Sequence, residues 1–173
     1  MRKGLPVHIA FTAVLVASLA AARAPTGAAA LVGQPAPDFS LDGLGNRKAL
    51  QLGSLKGRVV LVDFWASWCA PCKRTLPELA RLRARHPGVI ILAVSIDEER
   101  AKAERFLTGQ DSSLVALHDS KQKVAEAYDL KGMPAAVLID KRGLLRYRHD
   151  GYLEKDLPAL EKEVEGLMGE NGP

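Results

Sequence analysis

The amino-acid sequence predicts an α/β protein in which helices flank a mixed central β-sheet. Near-continuous apolar runs at 59–66 and 89–96 are typical of strands that are buried on both faces. Apolar residues at helical spacing follow the first run and recur at 154–168. Residues 135–151 alternate between apolar and polar side chains as a hairpin does. This order of elements requires both parallel and antiparallel strand pairs.

The length and charge of the chain restrict its class. Its 173 residues leave room for one domain with its own hydrophobic core. The 24 basic and 20 acidic residues give a formal charge of +4, but Arg2, Lys3 and Arg23 precede residue 31. The remainder therefore carries 21 basic and 20 acidic groups. This balance is not the footprint of a nucleic-acid-binding surface, and we expect no nucleic-acid partner.

The first 30 residues have the layout of a secretory signal peptide. Arg2 and Lys3 give a positive start, residues 9–22 form an uncharged and mostly apolar run, and small residues follow. We expect a signal peptide at 1–30, a single domain at 31–173 and a periplasmic protein without stable membrane insertion after processing. The alternative is an uncleaved leader that tethers the domain to the membrane.

The first half of the domain reads as a cap, a strand, a helix and a second strand. Short apolar pieces broken by Gly, Pro, Asn and Asp at 33–57 predict a β-hairpin or an irregular cap. The buried strand at 59–66 follows. Leucines at helical spacing then predict a helix at about 69–85, which Pro77 should kink. The second buried strand lies at 89–96.

The second half supplies three more helices and a short strand beside the hairpin. Acidic residues open 97–107, which suits a helix N-terminus. A short strand is expected at 113–119. A helix is expected at 120–130 with Ser120 as its N-cap, and an amphipathic helix at 154–168 closes the domain.

Cys69 and Cys72 are the only cysteines of the chain, and they stand three positions apart. A disulfide that closes so small a loop stabilises a fold least in the chain-entropy model. A structural zinc site takes four ligands, whereas this pair supplies two and the four histidines show no paired spacing. A two-thiolate Cu(I) site stays open as an alternative. We favour redox chemistry and expect no metal.

The position of the pair predicts different roles for its two sulfurs. Cys69 follows a buried strand at a predicted helix start, so its sulfur points at unpaired backbone N–H groups. The positive end of the helix favours the thiolate, which lowers the pKa of such a cysteine from about 8.5 toward 7 or below. Cys72 lies one turn further on and is better shielded. Cys69 is therefore expected to attack and Cys72 to resolve.

Two stretches of the chain resemble a known family. "VDFWASWCAPCKRTLP" resembles the thioredoxin signature, and "GMPAAVLID" resembles the cis-proline loop of that family. With "GQPAPDFSL" and "SIDEE", the whole arrangement over 31–167 is similar to the exported TlpA/ResA/DsbE-like thiol–disulfide oxidoreductases. The resemblance implies a thioredoxin fold with an added N-terminal β-hairpin and an inserted helix–strand element at 97–117.

The resemblance also implies roles for the residues around the dithiol. Cys69 is the nucleophile and Cys72 the resolving cysteine, and the two form the redox-active disulfide. Trp68 flanks the thiol and contacts substrate, and Ala70 and Pro71 tune the reduction potential.

Two further positions come from the same resemblance. Pro134 matches the cis-proline, and the preceding Met133 binds extended substrate backbone. Asp63 stands six residues before Cys69 and matches the buried acid of thioredoxin. A carboxyl in an apolar strand has a raised pKa and can pass a proton to the resolving thiol. The alternative is an Asp63 paired at the protein surface.

The chain departs from the family pattern at two positions. Thioredoxin has a lysine near the buried acid where this chain has Ala93, and ResA- and DsbE-like proteins usually have a glutamate where it has Thr75. These departures leave the proton relay open. A peroxiredoxin is a further alternative, but its loop needs a proline and a threonine where this chain has Val62 and Ala66.

The resemblance implies protein dithiols or disulfides as substrates, for example in cytochrome c or copper-site assembly. A reductant of this kind requires a membrane electron donor. No cofactor is expected, and we expect a monomer. A Cu(I) metallochaperone that uses both thiolates is the alternative outside redox catalysis.

Overall fold

The computed structural model describes residues 31–110, 113–152 and 154–172. The expected signal peptide at 1–30 lies outside these residues. The strands are β1 (Ser40–Gly43), β2 (Leu50–Gln51), β3 (Val60–Trp65), β4 (Ile90–Ser95), β5 (Val115–His118), β6 (Ala135–Ile139) and β7 (Leu145–Asp150). The helices are α1 (Cys72–Arg85), α2 (Arg100–Leu107), α3 (Lys123–Ala127) and α4 (Leu157–Gly169).

The strands join in one mixed sheet with the order β2-β1-β5-β4-β3-β6-β7. The central strand β3 pairs in parallel with β4 and antiparallel with β6. All six residues of β3 are buried, which agrees with its near-continuous apolar sequence, interrupted by Asp63. The expected mixed sheet is confirmed, as is the hairpin formed by β6 and β7.

The two faces of β3 pack against different parts of the chain because its side chains alternate. On one face, Trp65 stacks on Phe106 of α2 with the ring centroids 4.8 Å apart. On the other face, Phe64 packs against Tyr128, which follows α3, at 5.6 Å. The strand is thus covered on both sides, and the core is continuous around it.

The predicted N-terminal hairpin and the inserted helix–strand element are both present. Strands β1 and β2 pair antiparallel, and β1 also pairs with β5. Strand β5 in turn pairs in parallel with β4, so the inserted element α2–β5 lies between the central strands and the hairpin. The hairpin therefore extends the central sheet at this edge.

Both described ends of the chain lie beside the β6–β7 turn. The Gly33 N–H donates to the Leu145 carbonyl at 2.7 Å, and the Leu145 N–H donates to the Gln34 carbonyl at 2.9 Å. At the C-terminal end of α4, the carbonyls of Met168 and Glu170 accept hydrogen bonds from the Lys141 ammonium at 2.8 and 2.5 Å. Within 31–110, 113–152 and 154–172, no helix has the length and apolar character needed to cross a membrane.

The starts of two helices differ from the expected positions. Helix α1 begins at Cys72 rather than near residue 69, because residues 66–71 form a turned loop in which the Cys69 N–H donates to the Ala66 carbonyl. Helix α3 begins at Lys123, and the expected N-cap Ser120 is wrong. The Asp119 carboxylate takes that part, accepting the N–H groups of two α3 residues at 2.9 Å each.

Candidate active site

The cysteine pair lies where the central strand β3 meets helix α1. Cys69 and Cys72 form a disulfide, with their Cα atoms 5.4 Å apart. The Cys72 N–H, at the first turn of α1, donates to Cys69 Sγ at 3.3 Å. Cys69 retains 4% of its exposure and Cys72 retains none. Cys69 Sγ therefore accepts a backbone donor at the positive end of the helix, where a thiolate is favoured.

The other residues expected at the site surround this pair. Trp68 is 66% exposed directly before Cys69, Ala70 is exposed and Pro71 is half-buried. The Met133–Pro134 peptide bond is cis. Because Ala135 pairs with Phe64, this bond lies next to the end of β3 from which the cysteine loop departs. The structure thus brings the two distant motifs of the sequence to one end of the sheet.

Asp63 is fully buried in β3, with alanines on either side of it. Its register partners are Ala93 on β4 and Ala136 on β6, neither of which offers a polar side chain. Oδ1 accepts a hydrogen bond of 2.6 Å from the Tyr152 hydroxyl, and Oδ2 has no partner among the described residues. Burial raises the pKa of Asp63 to about 7, and the Tyr152 bond opposes that rise. A carboxyl with this pKa can give or take a proton near neutral pH.

Tyr152 is a site residue that the sequence analysis did not single out. It follows β7 and is almost fully buried. Thr75, where the family's usual glutamate is missing, is itself buried one turn after Cys72. The only sequence signal was a tyrosine after a glycine at a strand end, and this pattern does not indicate where the hydroxyl points.

Asp97 was also missed, although it follows a buried strand in the stretch "SID". Its buried carboxylate accepts the Ser67 N–H at 2.9 Å, the Ser67 hydroxyl at 2.7 Å and the Ser95 hydroxyl at 2.9 Å. Ser67 lies two residues before Cys69. Asp97 therefore fixes the loop that carries the cysteine to the end of β4.

A separate group at the C-terminal end of α1 has the donor set of a metal site. Ligand atoms of His86, Glu161 and Glu165 lie within 4.8 Å of one another. However, the Glu161 carboxylate already accepts two hydrogen bonds from Arg85, at 2.7 and 2.8 Å. Arg85 and His86 hold the pKa of Glu161 at about 2. The group is therefore an ion-pair cluster that joins α1 to α4.

Comparison with known proteins places these features in a family. A family profile described as "AhpC/TSA family" matches residues 32–148, which is more than half of the chain. This chain belongs to the AhpC/TSA family. Within it, the chain is 31% identical over 147 residues to the thiol-disulfide oxidoreductase ResA of Oceanobacillus iheyensis, covering 82% of this chain and 73% of the relative. ResA of Bacillus subtilis is 33% identical over 113 residues, which is 64% of this chain and 63% of the relative.

Solved structures agree with this family assignment. A putative thiol:disulfide interchange protein DsbE from Chlorobium tepidum superimposes with a TM-score of 0.76 at 34% identity, covering 80% of this chain and 98% of that one. The exposed lipoprotein thioredoxin Etrx1 of Streptococcus pneumoniae gives a TM-score of 0.63 at 32% identity, over 73% and 99% of the two chains. This AhpC/TSA member therefore has a thioredoxin-like fold and is a thiol–disulfide oxidoreductase.

Proposed function

We propose that the chain is a periplasmic oxidoreductase that reduces disulfides in other proteins, with Cys69 as the attacking thiol and Cys72 as the resolving thiol. The observation that carries the proposal is the inequality of the two sulfurs. Cys69 accepts a backbone N–H beside the exposed Trp68, whereas Cys72 is fully buried. Only one of two such thiols can meet a protein substrate.

The reaction follows from this inequality. The Cys69 thiolate attacks one sulfur of a substrate disulfide, forms a mixed disulfide and releases the other substrate sulfur as a thiolate. Cys72 then loses its proton and attacks Cys69 Sγ, which releases the second substrate thiolate. The substrate gains two electrons and takes up two protons, and the Cys69–Cys72 disulfide forms.

Asp63 is proposed to accept the Cys72 proton in the second step. Its raised pKa of about 7 keeps a fraction of the carboxyl ionised at neutral pH, while the carboxylate remains basic enough to take a proton. Ala93 opposite Asp63 carries no amine, so this acid works without the lysine that thioredoxin places nearby.

The surroundings of the reaction complete the proposal. The leader-like residues 1–30 support export, and an electron donor in the membrane would return Cys69 and Cys72 to the dithiol form. The proposed substrates are protein disulfides, including those of apocytochrome c or of copper-site proteins. Trp68, Met133 and Pro134 are proposed to contact the substrate, Ala70 and Pro71 to tune the potential, and the protein to act as a monomer.

Single-cysteine variants test the division of roles. Cys72→Ser should accumulate a mixed disulfide with a disulfide-containing protein such as insulin, because the attacking thiol remains and the resolving thiol is gone. Cys69→Ser should form none and should react slowly with iodoacetamide near neutral pH. The two variants are matched controls for each other, because each keeps one thiol of the same motif.

The same samples separate the alternatives. If Cys72 proved the faster thiol near pH 7, the proposed roles would be reversed. Stoichiometric retention of Cu(I) after gel filtration, without disulfide reduction, would replace the proposal with a metallochaperone. The reduction potential of the purified domain decides the direction, since a reductant requires a potential below that of its substrates.

A further inference from the structure

The segment after β7 links the two motifs of the site to the buried acid. Gly151 has a positive φ of 68°, a conformation that favours glycine, and its N–H donates to the Pro134 carbonyl at 2.8 Å. The chain turns there, and the next side chain, Tyr152, is buried with its hydroxyl 2.6 Å from Asp63 Oδ1. One short segment therefore touches both the cis-proline loop and Asp63.

Every element around Asp63 leaves Tyr152 as its single polar partner among the described residues. Strands β4 and β6 place Ala93 and Ala136 beside it. His149 of β7 occupies the same row of the sheet beyond Ala136, and it is paired with Glu163 of α4 at 2.7 Å.

The first turn of helix α1 holds Cys72, which does not titrate in the disulfide, and Thr75, whose hydroxyl donates to the Cys72 carbonyl at 3.4 Å. Among the described residues, Tyr152 is the titratable group that influences the pKa of Asp63.

We propose that Tyr152 is a positioning residue for thiol–disulfide exchange: its hydroxyl holds one oxygen of the Asp63 carboxyl and leaves the other as the site of proton transfer. This inference rests on the proposed function, in which Asp63 takes the proton of Cys72. Tyr152 thus gives Asp63 an uncharged partner in a chain that has Ala93 where thioredoxin has a lysine.

The direction of the effect follows from the hydrogen bonds. Donation by Tyr152 stabilises the carboxylate and so counters the rise in the pKa of Asp63 that burial causes. Removing this donor should make the carboxyl harder to ionise.

Carboxyl titration by NMR tests this without any enzymatic reaction. In oxidised protein labelled with 13C-aspartate, the Asp63 signal, assigned with Asp63→Asn, should titrate near pH 7. Tyr152→Phe keeps the ring and removes the donor, so the midpoint should rise by about one pH unit. Tyr147→Phe, an exposed tyrosine on β7, is the matched control and should leave it unchanged.

The kinetic counterpart is the rate at which the mixed disulfide is resolved, measured in single turnovers from pH 5 to 9. Tyr152→Phe should move the midpoint of this profile upward with the NMR midpoint, which lowers the rate at pH 7 about five-fold. Combined with Asp63→Asn, the Tyr152→Phe change should have no further effect on the profile.

The two measurements separate the two ideas. Absence of exchange in the wild-type protein would overturn the proposed function, while the NMR titration would still report on the Tyr152–Asp63 bond. Normal exchange with unshifted midpoints in Tyr152→Phe would overturn the inference alone.

Discussion

The burial of Asp63 makes the stability of the fold depend on pH. Its carboxyl has an ordinary pKa of 3.8 and a pKa of about 7 in the folded protein. Between these values the folded state binds more protons than the unfolded state, so the free energy of unfolding falls as the pH rises through this window. At about 1.4 kcal/mol per pKa unit, the loss above pH 7 is about 4 kcal/mol. The acid that we propose to serve the exchange therefore lowers the stability of the protein near neutral pH.

Asp63→Asn should remove this pH dependence. Relative to wild type, the free energy of unfolding of the variant should gain about 3–4 kcal/mol between pH 4 and pH 8, because the amide does not ionise. Urea denaturation of both oxidised proteins across this range measures the difference. Glu98→Gln, an exposed acid after β4, is the control. Parallel curves for wild type and Asp63→Asn would show that Asp63 titrates alike in both states.

At this scale the sequence identifies some of the site and misses the rest for a physical reason. The cysteines could be found because they stand three positions apart, and Asp63 because it is a lone acid in an apolar run. Tyr152 and Asp97 act through hydrogen bonds to residues 89 and 30 positions away, respectively. Such long-range pairs depend on strand order and on where a side chain turns, which local patterns do not contain.

At the scale of elements, side-chain hydrogen bonds to the end of β4 hold the loop between β3 and α1. Asp97, just beyond β4, accepts three hydrogen bonds, two of them from Ser67. The His118 ring on β5 in turn lies 2.7 Å from the Asp97 carbonyl. The position of Cys69 therefore depends on the ends of three adjacent strands.

Asp97→Asn should loosen that loop without changing the fold. The amide puts a donor where the Ser67 or Ser95 donor needs an acceptor, which should cost about 1–3 kcal/mol of unfolding free energy. Exchange should slow because Cys69 is less well placed. Urea denaturation and insulin reduction measure the two effects, and Glu98→Gln should stay within about 0.5 kcal/mol of wild type. Unchanged exchange at reduced stability would confine Asp97 to a structural role.

The existence of each element could be predicted from the sequence more reliably than its ends. Buried strands and amphipathic helices follow from apolar periodicity, which extends over many residues. The first residue of a helix depends on a few local hydrogen bonds, and an acid next to the expected N-cap residue can cap the helix instead. Asp119 did so in place of Ser120, and α3 is accordingly much shorter than the pattern at 120–130 suggested.

At the scale of the molecule, one tyrosine ties the N-terminal hairpin to the central sheet. Tyr128 packs between Phe39, 6.3 Å away, and Phe64, 5.6 Å away, and its hydroxyl donates to the Pro37 carbonyl at 2.8 Å. Burial raises the pKa of Tyr128 well above its ordinary value, so the hydroxyl remains a donor at every working pH. The segment that precedes β1 is thus part of the core.

Tyr128→Phe should release this attachment while keeping the ring contacts. The loss of one buried hydrogen bond should lower the free energy of unfolding by about 1 kcal/mol, and amides of β1 should exchange hydrogen faster than those of β3. Denaturation and hydrogen exchange measure both, with Tyr147→Phe as the control on an exposed tyrosine. Equal acceleration of exchange in β1 and β3 would mean that the hairpin opens only with the whole domain.

Gly33 and Gln34 pair with Leu145 at the end of the sheet opposite the disulfide. Strand β7 begins at Leu145 and ends at Asp150, which pairs with Ala135 beside the cis-proline. Five residue steps of about 3.3 Å place these two ends roughly 17 Å apart. Glu170 lies at the same end of the sheet as Gly33, because its carbonyl accepts a hydrogen bond from Lys141 in the β6–β7 turn. An attachment made through either described end of the chain would therefore hold the domain at the end of the sheet opposite the disulfide. Trp68 and the Cys69–Cys72 loop would point away from the point of attachment.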